Sequence, residues 1–157
     1  MIKLVRATVE DAPKILEIKL RAFASEFETY GKAAIPPEFD SIEKQIRTIT
    51  EQPYFFKIIK DGRISGATLA VDLSCGVFYL ASIYIDADRQ NQGIGTDALK
   101  IIEREFSQAK IWRLETPYLS YTNQRFYEKF GYKKVGEYVP PYSEGSDFIL
   151  FKYEKIM

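Results

Sequence analysis

Val77-Phe78-Tyr79-Leu80-Ala81-Ser82-Ile83-Tyr84-Ile85 runs directly into Asp86-Ala87-Asp88-Arg89-Gln90-Asn91-Gln92-Gly93-Ile94-Gly95-Thr96. The first half is almost wholly apolar or aromatic, as a central strand buried on both faces requires. The second half is polar and carries two glycines. It opens onto Ile94, Ala98, Ile101, Ile102 and Phe106, an apolar stripe at helical spacing. A buried strand therefore enters a loop whose glycines sit at the mouth of a helix. Gly93 and Gly95 lack Cβ, so a ligand can approach the backbone N–H groups closely. Those amides are unpaired donors at the positive end of the helix dipole, a ready seat for a pyrophosphate. A plain tight turn into a helix gives the same letters. The segment lacks the GxGxxG spacing of a dinucleotide fold and the GKS/T of a P-loop.

Outward from this segment the chain alternates strand and helix patterns. Ile2 to Ala7 reads as an opening strand. Thr8 with Asp11 resembles a capping box, and Pro13 suits a first helical turn. The helix that follows carries Ile15, Ile18 and Ala22 beside Leu16, Leu20 and Phe23, and ends near an acidic loop containing Pro36-Pro37. In the stretch from Glu26 to Asp40 the acids Glu26, Glu28, Glu38 and Asp40 face only Lys32. Asp40 or Ser41 caps a second helix with Ile42, Ile46 and Ile49. Tyr54–Lys60 and Ile64–Leu73 form a hairpin around Asp61-Gly62, followed by the turn Ser74-Cys75-Gly76 and the strand Val77–Ile85. After the glycine loop and its helix come a strand at Ile111–Thr116 and a short helix from Tyr121 to Phe130, stopped by Gly131. Strands at Lys133–Val139 and Phe148–Glu154 close the sheet. The order β-α-α-β-β-β-α-β-α-β-β predicts an α/β (α+β) fold over residues 1–157, one domain with a mixed central sheet of about six to seven strands and helices on both faces.

Composition limits the chemistry. With 157 residues and 46% apolar content, the chain can bury a substantial core. Lys and Arg number 22 against 22 Asp and Glu, which argues against coating nucleic acid or an anionic membrane. The absence of histidine removes Ser-His-Asp and Cys-His catalysis and HExxH metal sites. A single cysteine, Cys75, excludes an internal disulfide and has no visible activator as a nucleophile. No signal-peptide or membrane-spanning stretch is visible, so the expected setting is cytoplasmic. No metal site is expected.

A second constellation lies on the short helix. Ser120, Asn123 and Tyr127 are spaced i, i+3, i+7, which places them on one face. Together with Gln90-Asn91-Gln92-Gly93-Ile94-Gly95 and the element order, this resembles the GNAT superfamily of N-acetyltransferases, whose acyl-CoA motif reads Q/R-x-x-G-x-G/A. Ala87 and Asn91 stand where proline and glycine are common. Tyr127, in Phe126-Tyr127-Glu128-Lys129-Phe130-Gly131-Tyr132, matches the family's tyrosine that protonates the departing CoA thiolate. Its unperturbed pKa of ~10 suits transfer to an alkyl thiolate.

The resemblance implies acetyl-CoA as co-substrate. The amides of Gln90, Asn91, Gln92, Gly93, Ile94, Gly95 and Thr96 would take the pyrophosphate. The strand Ile83-Tyr84-Ile85 would pair with the pantetheine, and either Ser120 or Asn123 would contact it, Asn123 being preferred. The family strand is bulged, and the Ile85 N–H, taken to lie at that bulge, is the expected oxyanion donor. Arg89, Arg125 and Lys129 are each a phosphate contact or a solvated side chain. Trp112 reads as core.

The acceptor side is less defined. The family often places a carboxylate base on the fourth strand, but Tyr79-Leu80-Ala81-Ser82 has no acid, which leaves Glu115, Glu38, Asp40 or a water chain. Tyr30, Phe39, Tyr138 and Tyr142, with the two Pro-Pro loops, would line the mouth. The expected reaction is acetyl transfer to a primary amine by direct attack, a small amine or polyamine being favoured over a peptide by the acidic stretch. The alternative is a non-catalytic CoA-binding sensor or interaction module on the same fold. By analogy a homodimer is possible.

Overall fold

The computed structural model describes residues 1–157. Its elements are β1 (Ile2–Arg6), α1 (Ala12–Tyr30), α2 (Ile42–Glu51), β2 (Phe55–Lys60), β3 (Arg63–Asp72), β4 (Val77–Ile85), α3 (Ile94–Glu105), β5 (Ile111–Pro117), α4 (Tyr121–Lys129), β6 (Lys133–Tyr138) and β7 (Leu150–Ile156). The sequence order of strands and helices is the expected one. All seven strands form one sheet in the order β1-β2-β3-β4-β5-β7-β6. The β4–β5 pair is parallel and the other pairs are antiparallel.

Helices cover both faces. Ala12, Ile15 and Ile18 of α1 and Ile49 of α2 pack with Phe55, Ala67 and Tyr84 on one side. Leu99, Ile102, Phe106 and Tyr127 pack with Phe78, Leu80, Trp112 and Leu114 on the other. Trp112 is core, as expected. No helix is long and apolar enough to cross a membrane.

Local chemistry explains the element ends. The Thr8–Asp11 capping box forms, the Thr8 N–H donating to the Asp11 carboxylate at 2.8 Å, but it closes a short 3-10 turn ahead of α1. Ser41 caps α2, accepting from the Lys44 N–H at 3.2 Å. Asp61 and Gly62 both have positive φ, as a two-residue hairpin turn between twisted strands demands.

Two features differ from the sequence reading. First, α1 continues to Tyr30, so Glu26 and Glu28 belong to a helix and not to the acidic loop. Apolar Phe23 and Phe27 on its inner face pack against Phe39 and carry the helix past the polar letters. Second, the irregularity in β4 falls at Ala81 and not at Ile85. Leu69 opposes Ser82 while Ala70 opposes Leu80, leaving Ala81 as the extra residue. That insertion switches the strand's phase. Phe78 and Leu80 face α3, whereas beyond the bulge Tyr84 faces α1 and Ile83 packs on the α3 side.

Candidate active site

β4 and β5 pair only from Val77 opposite Ile111 to Tyr79 opposite Arg113, after which they part. The rest of β4 therefore has one unpaired edge. Main-chain alternation decides which groups it presents. The Asp86 N–H donates to the Ser65 carbonyl at 2.8 Å, and the Tyr84 carbonyl lies so close to Gly66 that a Cβ there would collide with it. Tyr84 and Asp86 thus face β3, and Ile83 and Ile85 turn their N–H and C=O groups toward the gap. The side-chain amide of Gln90 donates to the Ile85 carbonyl at 3.1 Å on that open edge.

The loop after β4 delivers the chain to α3 through left-handed residues. Asn91 has φ 64° and the helix-capping Gly93 has φ 78°, the region where glycine avoids a Cβ clash. Nothing lies within 4 Å of where a Gly93 Cβ would stand, so the approach is open. At Gly95 a Cβ would sit 3.5 Å from the Phe126 ring across the cleft. The first bond of the helix runs from the Asp97 N–H to the Gly93 carbonyl at 3.1 Å. The amides of Ile94, Gly95 and Thr96 accordingly have no partner within the helix. Asp86 holds the loop's entrance in place, its buried carboxylate taking two bonds from Arg21 of α1 at 3.2 and 2.7 Å.

Two cavities meet across the parted strands. One, of about 360 Å³, runs along the open edge of β4 to the glycine turn. It is lined by Ile83, Tyr84, Ile85, Arg89, Gln90, Asn91, Gly93, Ile94, Gly95, Thr96, Asn123 and Tyr127, with Ala22, Phe23, Glu26, Thr122 and Phe126. The other, of about 410 Å³, opens between α1, α2, β4 and β5. Its walls include Phe27, Phe39, Tyr79, Tyr142, Phe148 and Glu115. Phe23, Glu26, Ile83, Tyr84, Asn123 and Tyr127 line both and mark the junction.

The family model described as an acetyltransferase (GNAT) domain matches residues 16–155. The chain belongs to the GNAT acetyltransferase family. The uncharacterized protein YrkN of Bacillus subtilis (strain 168) is 27% identical over 135 residues, covering 84% of this chain and 73% of YrkN. The same fold occurs in the PaiA N-acetyltransferase of Thermoplasma acidophilum, solved in complex with coenzyme A, with a TM-score of 0.80 at 20% identity over 100% of this chain and 99% of that one. The ribosomal-protein-S18-alanine N-acetyltransferase of Escherichia coli aligns with a TM-score of 0.76 at 18% identity, over 99% and 94% of the two chains.

Within this GNAT domain, two of the residues expected to contact the cofactor, Gln92 and Ser120, lie outside both cavities. The Gln92 side chain accepts from Lys60 Nζ at 3.0 Å, and the Ser120 hydroxyl is bonded to the Tyr30 hydroxyl at 3.0 Å. Tyr30, committed to that pair, does not line the second cavity, and neither do Tyr138 or Asp40. Phe39, Tyr142, Glu38 and Glu115 do. Arg125 and Lys129 face solvent on α4. The Arg89 side chain is only 13% exposed and faces the cavity at the glycine turn, 3.9 Å from Asp61.

Electrostatics separate the groups of this GNAT site. Burial pushes the Tyr127 hydroxyl well above its ordinary value, and the negative charge of Glu26 adds to the effect. Glu26 is itself pushed up to about 7 by burial, with no hydrogen bond or cation opposing it. Lys19 is lowered to about 8, first by burial and then by the nearby Lys44. Its ammonium donates to the Phe39 carbonyl at 3.0 Å and lies over the Phe39 ring at 3.9 Å. Tyr79 donates to Glu115 at 2.9 Å and is raised by burial and by that carboxylate.

Glu26 was not singled out as a site residue because its stretch reads as a polar loop. The available signal was Lys19, Phe23, Glu26 and Tyr30 at i, i+4, i+7 and i+11, one continuous face of a helix.

Proposed function

We propose that this GNAT domain transfers an acetyl group from acetyl-CoA to a primary amine by direct attack within a ternary complex. The observation that carries the reading is the meeting of two cavities at an unpaired strand edge beside Tyr127. A thioester entering along one and an amine entering through the other reach the same point. The coenzyme A complex of the T. acidophilum relative supports acyl-CoA as the donor.

The amides from Asn91 to Thr96 suit a pyrophosphate, because they combine unpaired donors with the helix dipole and leave room at Gly93. Arg89 adds a cation there. The pantetheine follows the open edge presented by Ile83 and Ile85, with Asn123 beside it. As the amine nitrogen bonds to the carbonyl carbon, negative charge develops on the carbonyl oxygen. The Ile83 N–H is the better-placed oxyanion donor than that of Ile85, since Ile83 lines both cavities and Ile85 only the first. Tyr127 gives its proton to the departing thiolate. Burial keeps that phenol protonated at neutral pH, and a thiolate stranded in the same dry cleft is a correspondingly stronger base.

A small amine or polyamine suits the acceptor cavity. Glu26, Glu38 and Glu115 line it, while Lys19 and Lys44 are tied to the carbonyls of Phe39 and Pro37 at 3.0 Å each. Aromatic walls favour a cation further. The test is thiol release from acetyl-CoA across amines, polyamines, amino acids and peptides. Saturable release with a small amine or polyamine is expected. Calorimetric binding of coenzyme A without turnover of any amine would instead identify a CoA-binding sensor.

A further inference from the structure

The geometry assigns the role of general base to Glu26 on α1, and not to a residue of β4, where the resemblance looked for a carboxylate. The assignment rests on the acetyl-transfer reading above. Of the six residues common to both cavities, Glu26 is the only carboxylate. Glu38 and Glu115 line the acceptor side alone and are engaged, Glu38 with Arg47 at 3.1 Å and Glu115 with Tyr79 at 2.9 Å. Asp40 lines neither cavity. Glu26 has neither a hydrogen bond nor a cation to stabilise its charge, so its lone pairs are free for a bound amine. A half-buried acid in this state exchanges protons near neutral pH, where a base for an amine has to work.

The balance of the step is simple. The neutral amine nitrogen forms a C–N bond with the thioester carbonyl carbon, and its proton passes to the Glu26 carboxylate. The C–S bond breaks, its electron pair leaves with sulfur, and the sulfur takes the Tyr127 proton. Glu26 releases its proton to water, Tyr127 regains one, and the products are an amide and a thiol.

Other titrating groups face this point. On α1 this is Lys19, with Tyr30 outside the cavities but close enough to feel the charge of Glu26, on α2 Lys44, on β4 Tyr79 and Tyr84, and on α4 Tyr127. Glu38, Tyr142, Glu115 and Arg89 approach from the loops and β5. The tyrosines stay protonated through neutral pH, because burial raises each of them. Lys19, at about 8, is the group that overlaps the range, and it remains in the variant used as the test.

The experiment compares wild type with Glu26→Gln, using acetyl-CoA and the amine of highest kcat/KM in the panel. An acceptor amine titrating above pH 9 contributes a slope of one to log kcat/KM against pH. Glu26 adds a second unit below about pH 7, so wild type should pass from slope two to slope one there. Glu26→Gln should show slope one throughout, about 10²–10⁴-fold lower activity at pH 8 and unchanged acetyl-CoA affinity. The folded-state value is raised, so the carboxylate destabilises the fold increasingly as pH rises from about 4.5 to about 7. Glu26→Gln should therefore melt higher than wild type above pH 7, whereas loss of a merely structural carboxylate would lower Tm. An unchanged slope break in Glu26→Gln would overturn the assignment while leaving the acetyl-transfer reading intact. Failure of wild type to turn over any amine would overturn both.

Discussion

Along the open edge of β4 the polar contacts are main-chain groups, whereas across the junction they are side chains. The first cavity offers the Ile83 and Ile85 edge and the amides at the start of α3. The second offers Glu38, Glu115, Lys19 and a ring of aromatics borne on α1, β4, β5 and two loops. A main-chain site tolerates many side chains but few backbone conformations. A side-chain site is the reverse, and its specificity can change while the fold stays put. The difference predicts that damage to the shared chemistry, to the backbone site and to the side-chain site will have separable signatures.

Tyr127→Phe attacks the point the two regions share. It should lower kcat by about 10²–10⁴-fold and leave the calorimetric affinity for acetyl-CoA unchanged. A kcat within threefold of wild type would show that the thiolate leaves without this proton. Gly93→Val strikes the backbone site alone. A β-branched residue at φ 78° costs ~1–2 kcal/mol, so the turn abandons its geometry. Acetyl-CoA affinity should fall about tenfold, with acceptor KM little changed.

Glu115→Gln tests the side-chain site and keeps an acceptor for the Tyr79 hydroxyl. Removing one half-buried charge, worth ~1 kcal/mol, should raise KM for a cationic amine about fivefold and spare acetyl-CoA affinity. A fall in KM would show that the preferred acceptor is not cationic. Arg125→Ala is the smallest expected effect. The residue lies outside both cavities on the solvent side of α4, so activity and stability should shift by less than about 0.5 kcal/mol. A marked rise in the acetyl-CoA Kd would mean that the bound phosphates reach further along α4 than the cavity does.

The same contrast governs what the letters disclosed. Gly93 was readable because a left-handed helix cap has few substitutes, and the strand before it because an apolar run of that length has few other uses. The shared face of Asn123 and Tyr127 was readable from helical spacing, whereas Arg125 and Lys129 stood open between a phosphate contact and solvent. The parting of β4 from β5 was not readable from periodicity, since it is a relation between two strands distant in sequence. The position of the bulge was hidden because Val77 to Ile85 is apolar on both faces, so a change of phase leaves no mark in the pattern. Glu26 was hidden by its neighbours. Acids and prolines suggested a loop, while the packing of Phe23 and Phe27 on Phe39 extends α1 through it.

The single extra residue at Ala81 has a consequence for how this segment can vary. Its identity matters little, because neighbouring strand positions accept most aliphatic and aromatic residues. Its presence sets the local bend of the strand. Excising Ala81 would let Ser82 follow Leu80 in regular alternation opposite Leu69, so Ile83 and Tyr84 would keep their faces while the bulge and its local kink would be lost. A one-codon deletion at this position should therefore spare the packing on both faces of the sheet and act instead on the bend that accompanies the open edge of β4.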